Sequence, residues 1–171
     1  MSHPSAETIL KQSVLITGCS AGGIGASLAD VFLQKGYIVF ATARTIHKIP
    51  SSVSDHPNAH VVQIDVTSPK SITAAAKSVK ETLAGRGLDI LVNNSGLGTC
   101  CPGLDVDIDE AKDIFEVNFW GVLRTTQAFA DLLVLAQGTI VNVSSIAGEM
   151  EDPHQCESVG FDAYLRLPRS L

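Results

Sequence analysis

Lysine and arginine are nowhere dense in this chain. Its 171 residues carry 12 basic and 18 acidic side chains, a formal net charge of −6. Without a basic patch a nucleic-acid surface is not expected. Met1 to Ser13 lacks a basic segment followed by an apolar one, so no signal peptide is read there. The longest apolar runs, such as Leu132 to Ala136, fall far short of a bilayer span, and no integral membrane segment is expected. None of the four cysteines (Cys19, Cys100, Cys101, Cys156) forms a C-x-x-C pair, and adjacent Cys100 and Cys101 have poor geometry for chelation. They read as free thiols in a reducing compartment, with no metal site. A cytoplasmic protein is the expectation. Being 45% hydrophobic, the chain holds enough apolar material for one domain with a true core.

Strand-like and helix-like segments alternate. Ser13 to Thr17 reads as a short buried strand, and Ile24 to Lys35 as a helix with Leu28, Val31 and Phe32 on one face and Gly36 as its stop. Tyr37 to Ala41 is a second strand. Thr42 to Asn58, polar and with two prolines, reads as a loop, and His60 to Ile64 as a third strand. Ser68 is a natural N-cap with Pro69 in the first turn of a helix running to about Ala84. A fourth strand spans Leu88 to Val92. Asp107 with Glu110 resembles a capping box opening a long helix to Ala136, with Ile114, Phe115, Val122, Phe129 and Leu133 as its apolar stripe. Gly138 to Val143 is a fifth strand. Strands separated by helices indicate an α/β fold with a doubly wound parallel sheet. The chain divides into an N-terminal extension (1–12), this domain (13–148) and an acidic, weakly patterned tail (149–171).

The first strand breaks into Thr17-Gly18-Cys19-Ser20-Ala21-Gly22-Gly23-Ile24-Gly25 and then opens a helix. Glycines there let backbone N–H groups approach a phosphate that side chains would block. The same residues match G-x-S-x-G, which would make Ser20 a nucleophile, although only Met1 to Gln12 precede the strand to supply an oxyanion hole. A phosphate-binding P-loop is excluded, because Ile24 and Gly25 replace the required Lys and Ser/Thr. A methyltransferase would want a carboxylate after the second strand, where Arg44 stands. A cation at that place accommodates a ribose 2′-phosphate, so Arg44 points to NADP(H).

Four motifs now stand in order: the loop from Thr17 to Gly25, Asp65-Val66 after strand three, Asn93-Asn94-Ser95-Gly96 after strand four, and Asn142-Val143-Ser144-Ser145 after strand five, with Asn118 inside the long helix. Together they closely resemble the short-chain dehydrogenase/reductase family over about residues 12 to 150. The Gly-Cys-Ser start, Gly22-Gly23 and Ala41-Thr42-Ala43-Arg44 are similar to fungal NADPH-dependent 1-acyldihydroxyacetone phosphate reductases, with kinship to 17-beta-hydroxysteroid dehydrogenases.

The resemblance implies a Rossmann-like fold and NADP(H)-dependent reduction of a small-molecule carbonyl, or oxidation of the alcohol. By it, Thr17, Gly18, Ser20, Gly23, Ile24 and Gly25 form the pyrophosphate loop. Arg44 meets the 2′-phosphate, Asp65 and Val66 border the adenine, and Asn93, Asn94 and Gly96 flank the ribose. Ser95 stands where the family usually has Ala. Arg124, two turns past Asn118, also reaches toward cofactor charge. Ser145 would orient the carbonyl, and Asn118 would support a proton-relay water by bending its helix.

One part of the family's machinery is missing. Catalysis there needs a Tyr proton donor and a Lys four residues on. At the family's usual offset after Ser145 stand Ser158 and, four further, Asp162. Tyr37 is followed at that spacing by Ala41, Tyr164 by Pro168, and no lysine occurs after Lys112. The expectation is therefore an incomplete sheet of about five strands, exposed apolar faces with a tendency to aggregate, and little turnover. The alternatives are a non-catalytic NADP(H)-binding remnant, a homo-oligomer or partner of a full-length relative through the long helix, or a truncated reading frame.

Overall fold

A computed structural model describes residues 11–98 and 105–145 of the protein. The chain runs β1 (Ser13–Ile16), α1 (Ile24–Gln34), β2 (Ile38–Ala43), a 3-10 turn (Ile46–Lys48), α2 (Ser51–Ser54), β3 (Ala59–Gln63), α3 (Pro69–Leu83) and β4 (Ile90–Asn93). It then continues through α4 (Ile108–Phe115), a π-helical segment (Glu116–Gly121), α5 (Val122–Ala136) and β5 (Thr139–Asn142). The five strands form one parallel sheet in the order β3-β2-β1-β4-β5, the doubly wound, Rossmann-like arrangement expected. The expected loop 42–58 holds the 3-10 turn and α2 as well.

Local chemistry sets most element ends. Ser68 caps α3 by accepting from the Ser71 N–H at 3.3 Å, with Pro69 in the first turn. Asp107 accepts from the N–H groups of Asp109 and Glu110, so it caps α4. Gly36 leaves α1 with φ +85°, a left-handed conformation that costs glycine little. Lys11 and Gln12 belong to the packed body: the Gln12 carbonyl accepts from Ile38 N, and Lys11 Nζ donates to Asn58.

Every residue of β1 is buried. Alternation sends Val14 and Ile16 to one face and Leu15 to the other, so the sheet is covered on both sides. Leu15, Phe40 and Leu91 pack with Ile72, Val79, Phe129 and Leu133 from α3 and α5. Val14, Ile16, Val39 and Val92 pack with Ala29, Leu33 and Val53. The inner face of α1 is Gly25, Ala26, Ala29 and Leu33, whereas Val31 is exposed and Leu28 and Phe32 are only half-buried. The helix lies so near the sheet end that a Cβ on Gly25 would stand 2.5 Å from Gly18 O. Close approach selects small residues there, which corrects the face read from hydrophobicity. Phe115, expected inside, is 43% exposed, while Ile114 beside it is buried. β5 has no second neighbour among the described strands, and its Val141, like Val143 beyond it, is exposed. No described helix is long and apolar enough to cross a membrane.

Candidate functional site

The strand order places β1 between β2 and β4, and the chain leaves β1 toward one face and β4 toward the other. A crevice opens at the C-terminal ends of strands at such a switch point. Here it is a cleft of about 550 Å³ with the glycine loop on one wall, the segments after β2 and β3 on another and the loop after β4 on a third.

Thr17 ties the walls together. Its Oγ1 accepts from the backbone N–H groups of Asn94 and Ser95, both at 2.9 Å, while its own N–H donates to Val92 O. Asn94 answers: Nδ2 donates to Thr17 O at 2.8 Å and to Gly18 O at 3.2 Å. Gly18 turns the chain with φ +75°, and a Cβ on it would lie 3.0 Å from Ser95 Oγ. Gly23 N donates to Ser20 O, closing a tight turn, and Ala21 N donates to Lys48 O at 2.7 Å, fastening the loop to the 3-10 turn. The N–H groups of the first turn of α1 have no intrahelical acceptors and lie at its positive end, an electrostatic setting that favours an anion.

Gly18, Ser20, Gly23, Ile24, Arg44, Asp65, Val66, Asn94 and Gly96 all line this one cleft. The six other expected residues are not in its lining. Thr17 is buried beneath the loop, and Gly25 packs on Asn94. Asn118 grips the far loop, with Oδ1 accepting from Leu97 N and Nδ2 donating to Leu97 O, each at 2.8 Å. Asn93 points away, buried, its Nδ2 donating to Asn142 Oδ1 at 2.9 Å and Thr126 Oγ1 at 3.2 Å, so it ties β4 to β5 and α5. Its Oδ1 is buried without a partner. Arg124, expected near cofactor charge, instead makes a two-pronged ion pair with Glu116. Ser145 is exposed just beyond β5 and outside the cleft lining. Cys100, Cys101, Cys156, Tyr164, Ser158 and Asp162 lie outside the described residues.

Sequence reasoning missed Lys48, which shares the cleft lining with Arg44. Its signal was available: a second cation four positions past Arg44 on a short turn. With Asp65 these make two cations to one carboxylate in the lining. Asp65 Oδ1 accepts from the N–H and hydroxyl of Thr67, which orients the carboxylate. Among the described residues no histidine lines the cleft beside Ser20, so none of them supplies the base that the hydrolase alternative needs. Cys19, although in the loop, is fully buried; desolvation pushes its thiol up to about 12 despite the Thr42 backbone contact. Such a thiol is unreactive. Hydrogen bonds from Arg124 hold the Glu116 carboxyl below its ordinary range, and Glu116 raises the guanidinium in return. Among the described residues there is no cluster of three potential metal ligands.

The family model for short chain dehydrogenase matches residues 12–157. A short-chain dehydrogenase of Penicillium crustosum is 48% identical over 139 residues, covering 81% of this chain and 51% of the relative. The NADPH-dependent 1-acyldihydroxyacetone phosphate reductase of Schizosaccharomyces pombe is 40% identical over 133 residues, covering 78% and 44%. This chain thus spans about half the length of the curated relatives it matches. Among solved structures, an alcohol dehydrogenase from the archaeon Thermococcus sibiricus complexed with 5-hydroxy-NADP superposes with TM-score 0.80 at 26% identity, over 88% of this chain and 65% of that one. The NADPH-bound carbonyl reductase from chicken fatty liver gives 0.77 at 28% identity, over 88% and 67%.

Proposed function

Because the chain belongs to the short chain dehydrogenase family, we propose that its cleft binds NADP(H) and that the protein is by descent an NADP(H)-dependent oxidoreductase, acting between a small-molecule carbonyl and its alcohol. The observation that carries the cofactor reading is the presence of Arg44 and Lys48 in one lining with the glycine turn. A cleft of about 550 Å³ is of the size that takes such a ligand. Gly18, Ser20, Gly23 and Ile24, with the N-terminus of α1 (buttressed by Thr17 and Gly25), would hold the pyrophosphate. Arg44 and Lys48 would take the 2′-phosphate, Asp65 and Val66 the adenine, and Asn94 and Gly96 the ribose side. Bound NADPH supplies a hydride. Ser145 and Asn118 are the residues of this chain assigned to the carbonyl and to the helix bend beside it.

In this reading the 171-residue chain turns over little, since it has no Tyr-x-x-x-Lys. A cleft lined for a cofactor but without that pair also favours a second reading, a non-catalytic NADP(H)-binding chain that pairs with itself or with a full-length relative. A cytoplasmic location belongs to the same proposal, supported by the free thiol of Cys19. Titrating the protein with NADPH while following its oxidation against a panel of ketones separates these readings. Binding with no turnover supports the non-catalytic chain, slow turnover supports the impaired enzyme, robust turnover overturns both, and absence of NADPH binding overturns both.

A further inference from the structure

The long helical stretch after Asp107 is interrupted. Glu116–Gly121 runs as a π-helix, whose N–H groups reach back five residues instead of four. Such a turn holds one residue more than the α-helical path between the same ends. It is a rare conformation that neighbouring contacts must favour.

The Arg124 side chain spans that interruption. Its Nη1 donates to Glu116 Oε2 at 2.5 Å and its Nη2 to Oε1 at 3.2 Å. The two residues are eight positions apart, one at the first π residue and the other three residues past the last, in the first turn of α5. On an uninterrupted α-helix at about 100° per residue, positions i and i+8 lie about 80° apart around the axis. With one residue inserted, i+8 takes the place of i+7, about 20° from i. The ion pair therefore fits the π register and not the α register. Burial reports the same slip. Counted through the insertion, Ile114 shares a face with Leu133, and both are buried; Phe115 is turned away and exposed.

Three contacts of the cleft hang on this register. Val117 lines the cleft. Asn118 holds Leu97 N and O, fixing the loop after β4. Gly121 lies so close to Val66 that an added Cβ would be 2.9 Å from Val66 Cγ2. All three lie between the two members of the ion pair.

We propose that Glu116 and Arg124 form a register lock. They are positioning residues that hold the π segment, and through it the Leu97 loop and the Val66 wall, without touching the ligand themselves. This gives Arg124 a role different from direct contact with cofactor charge.

Backbone hydrogen exchange in Glu116→Gln, Arg124→Met and the reversed pair Glu116→Arg/Arg124→Glu tests the lock in the intact chain. Either single change raises exchange of the Leu97 N–H and of the 117–122 amides about tenfold, while β1 and β4 stay protected. The reversed pair recovers protection. Single variants that exchange like the wild type, or a reversed pair no better protected than they are, overturn the proposal. NADPH affinity is the second readout, and this arm rests on the cofactor reading above. It falls about tenfold in each single variant and returns in the reversed pair. A reversed pair that regains protection but not NADPH binding places Arg124 on the ligand and overturns its purely positioning role. A wild-type chain that binds no NADPH sinks the cofactor reading alone, and hydrogen exchange then still judges the lock.

Discussion

Replacing Thr17 by valine removes one oxygen and leaves two backbone amides without their acceptor. Thr17 is 1% exposed, and its Oγ1 receives the N–H groups of Asn94 and Ser95, each at 2.9 Å. Valine keeps the shape and the β-branching, so the packing of the Cγ methyl changes little. What changes is hydrogen bonding. An unsatisfied amide costs about 1–3 kcal/mol, and both amides here are half-buried, so the lower half of that range applies to each. The expected loss is about 2–4 kcal/mol. That is a large share of the roughly 5–15 kcal/mol that holds a domain folded. Serine at the same position keeps the oxygen and loses only a buried methyl, about 1 kcal/mol.

Urea unfolding followed by circular dichroism measures both variants, and equal slopes confirm that midpoint shifts report stability. Thr17→Val should unfold at clearly lower urea than Thr17→Ser, and Thr17→Ser slightly below the wild type. A valine variant within about 0.5 kcal/mol of the wild type would refute the claim that this hydroxyl holds the β4 loop. Equal losses in the two variants would show that the oxygen contributes no more than the methyl. The same substitution loosens Asn94, whose Nδ2 is aimed at Thr17 O and Gly18 O. NADPH affinity should therefore fall with valine and persist with serine.

Reversing the charge of the cleft rim with Arg44→Glu and Lys48→Glu should cut NADPH affinity about 100-fold in the double variant and leave NADH nearly unaffected; fluorescence titration checks this, and equal losses for both cofactors would contradict a 2′-phosphate role. The Cys19 thiol should resist a disulfide reagent at pH 8 in the folded chain lacking Cys100, Cys101 and Cys156, and react once urea unfolds it. Because the folded thiol ionises near 12 and the unfolded one near 9.0, its contribution is fully present below pH 9 and is lost as pH rises toward 12; relative to Cys19→Ala, stability should fall by about 1.4 kcal/mol per pH unit in that window. Ala84→Gly should raise stability by about 0.5–1 kcal/mol in the same urea assay, since Ala84 ends α3 at φ +50°, where a side chain is strained.

Which parts of the molecule could be read from the chain follows from how far each signal reaches. Ser68-Pro69, Asp107 and Gly36 act within a few residues, on amides of their own helix ends, and their effects are local enough to be written in sequence. The glycine loop and the segment after β2 were legible because backbone approach and charge placement each demand particular residue types. Contacts between distant walls were not. Nothing near Thr17 in sequence announces that its hydroxyl serves amides 77 and 78 positions away, and Asn93 and Asn94 are adjacent yet turn to opposite tasks. Asn94 fastens the cleft, while Asn93 fastens β5, because successive strand-end side chains point to opposite sides.

The π segment shows a different kind of illegibility. A period of 3.6 residues fits Ile114, Phe115, Val122, Phe129 and Leu133 as one stripe, and residues 108–136 carry no proline to mark a break. Three contacts fall on the break: Gly121 against Val66, Asn118 on Leu97 and Arg124 on Glu116. Asn118 and Gly121 lie within the insertion and Glu116 and Arg124 bracket it, so a continuous α-helix would shift all three contacts together. In this register Phe115 lies off the face that buries Ile114 and is 43% exposed, while Val117 lines the cleft and Asn118 holds the loop beside it, so the contacts that the insertion gains are those of the cleft.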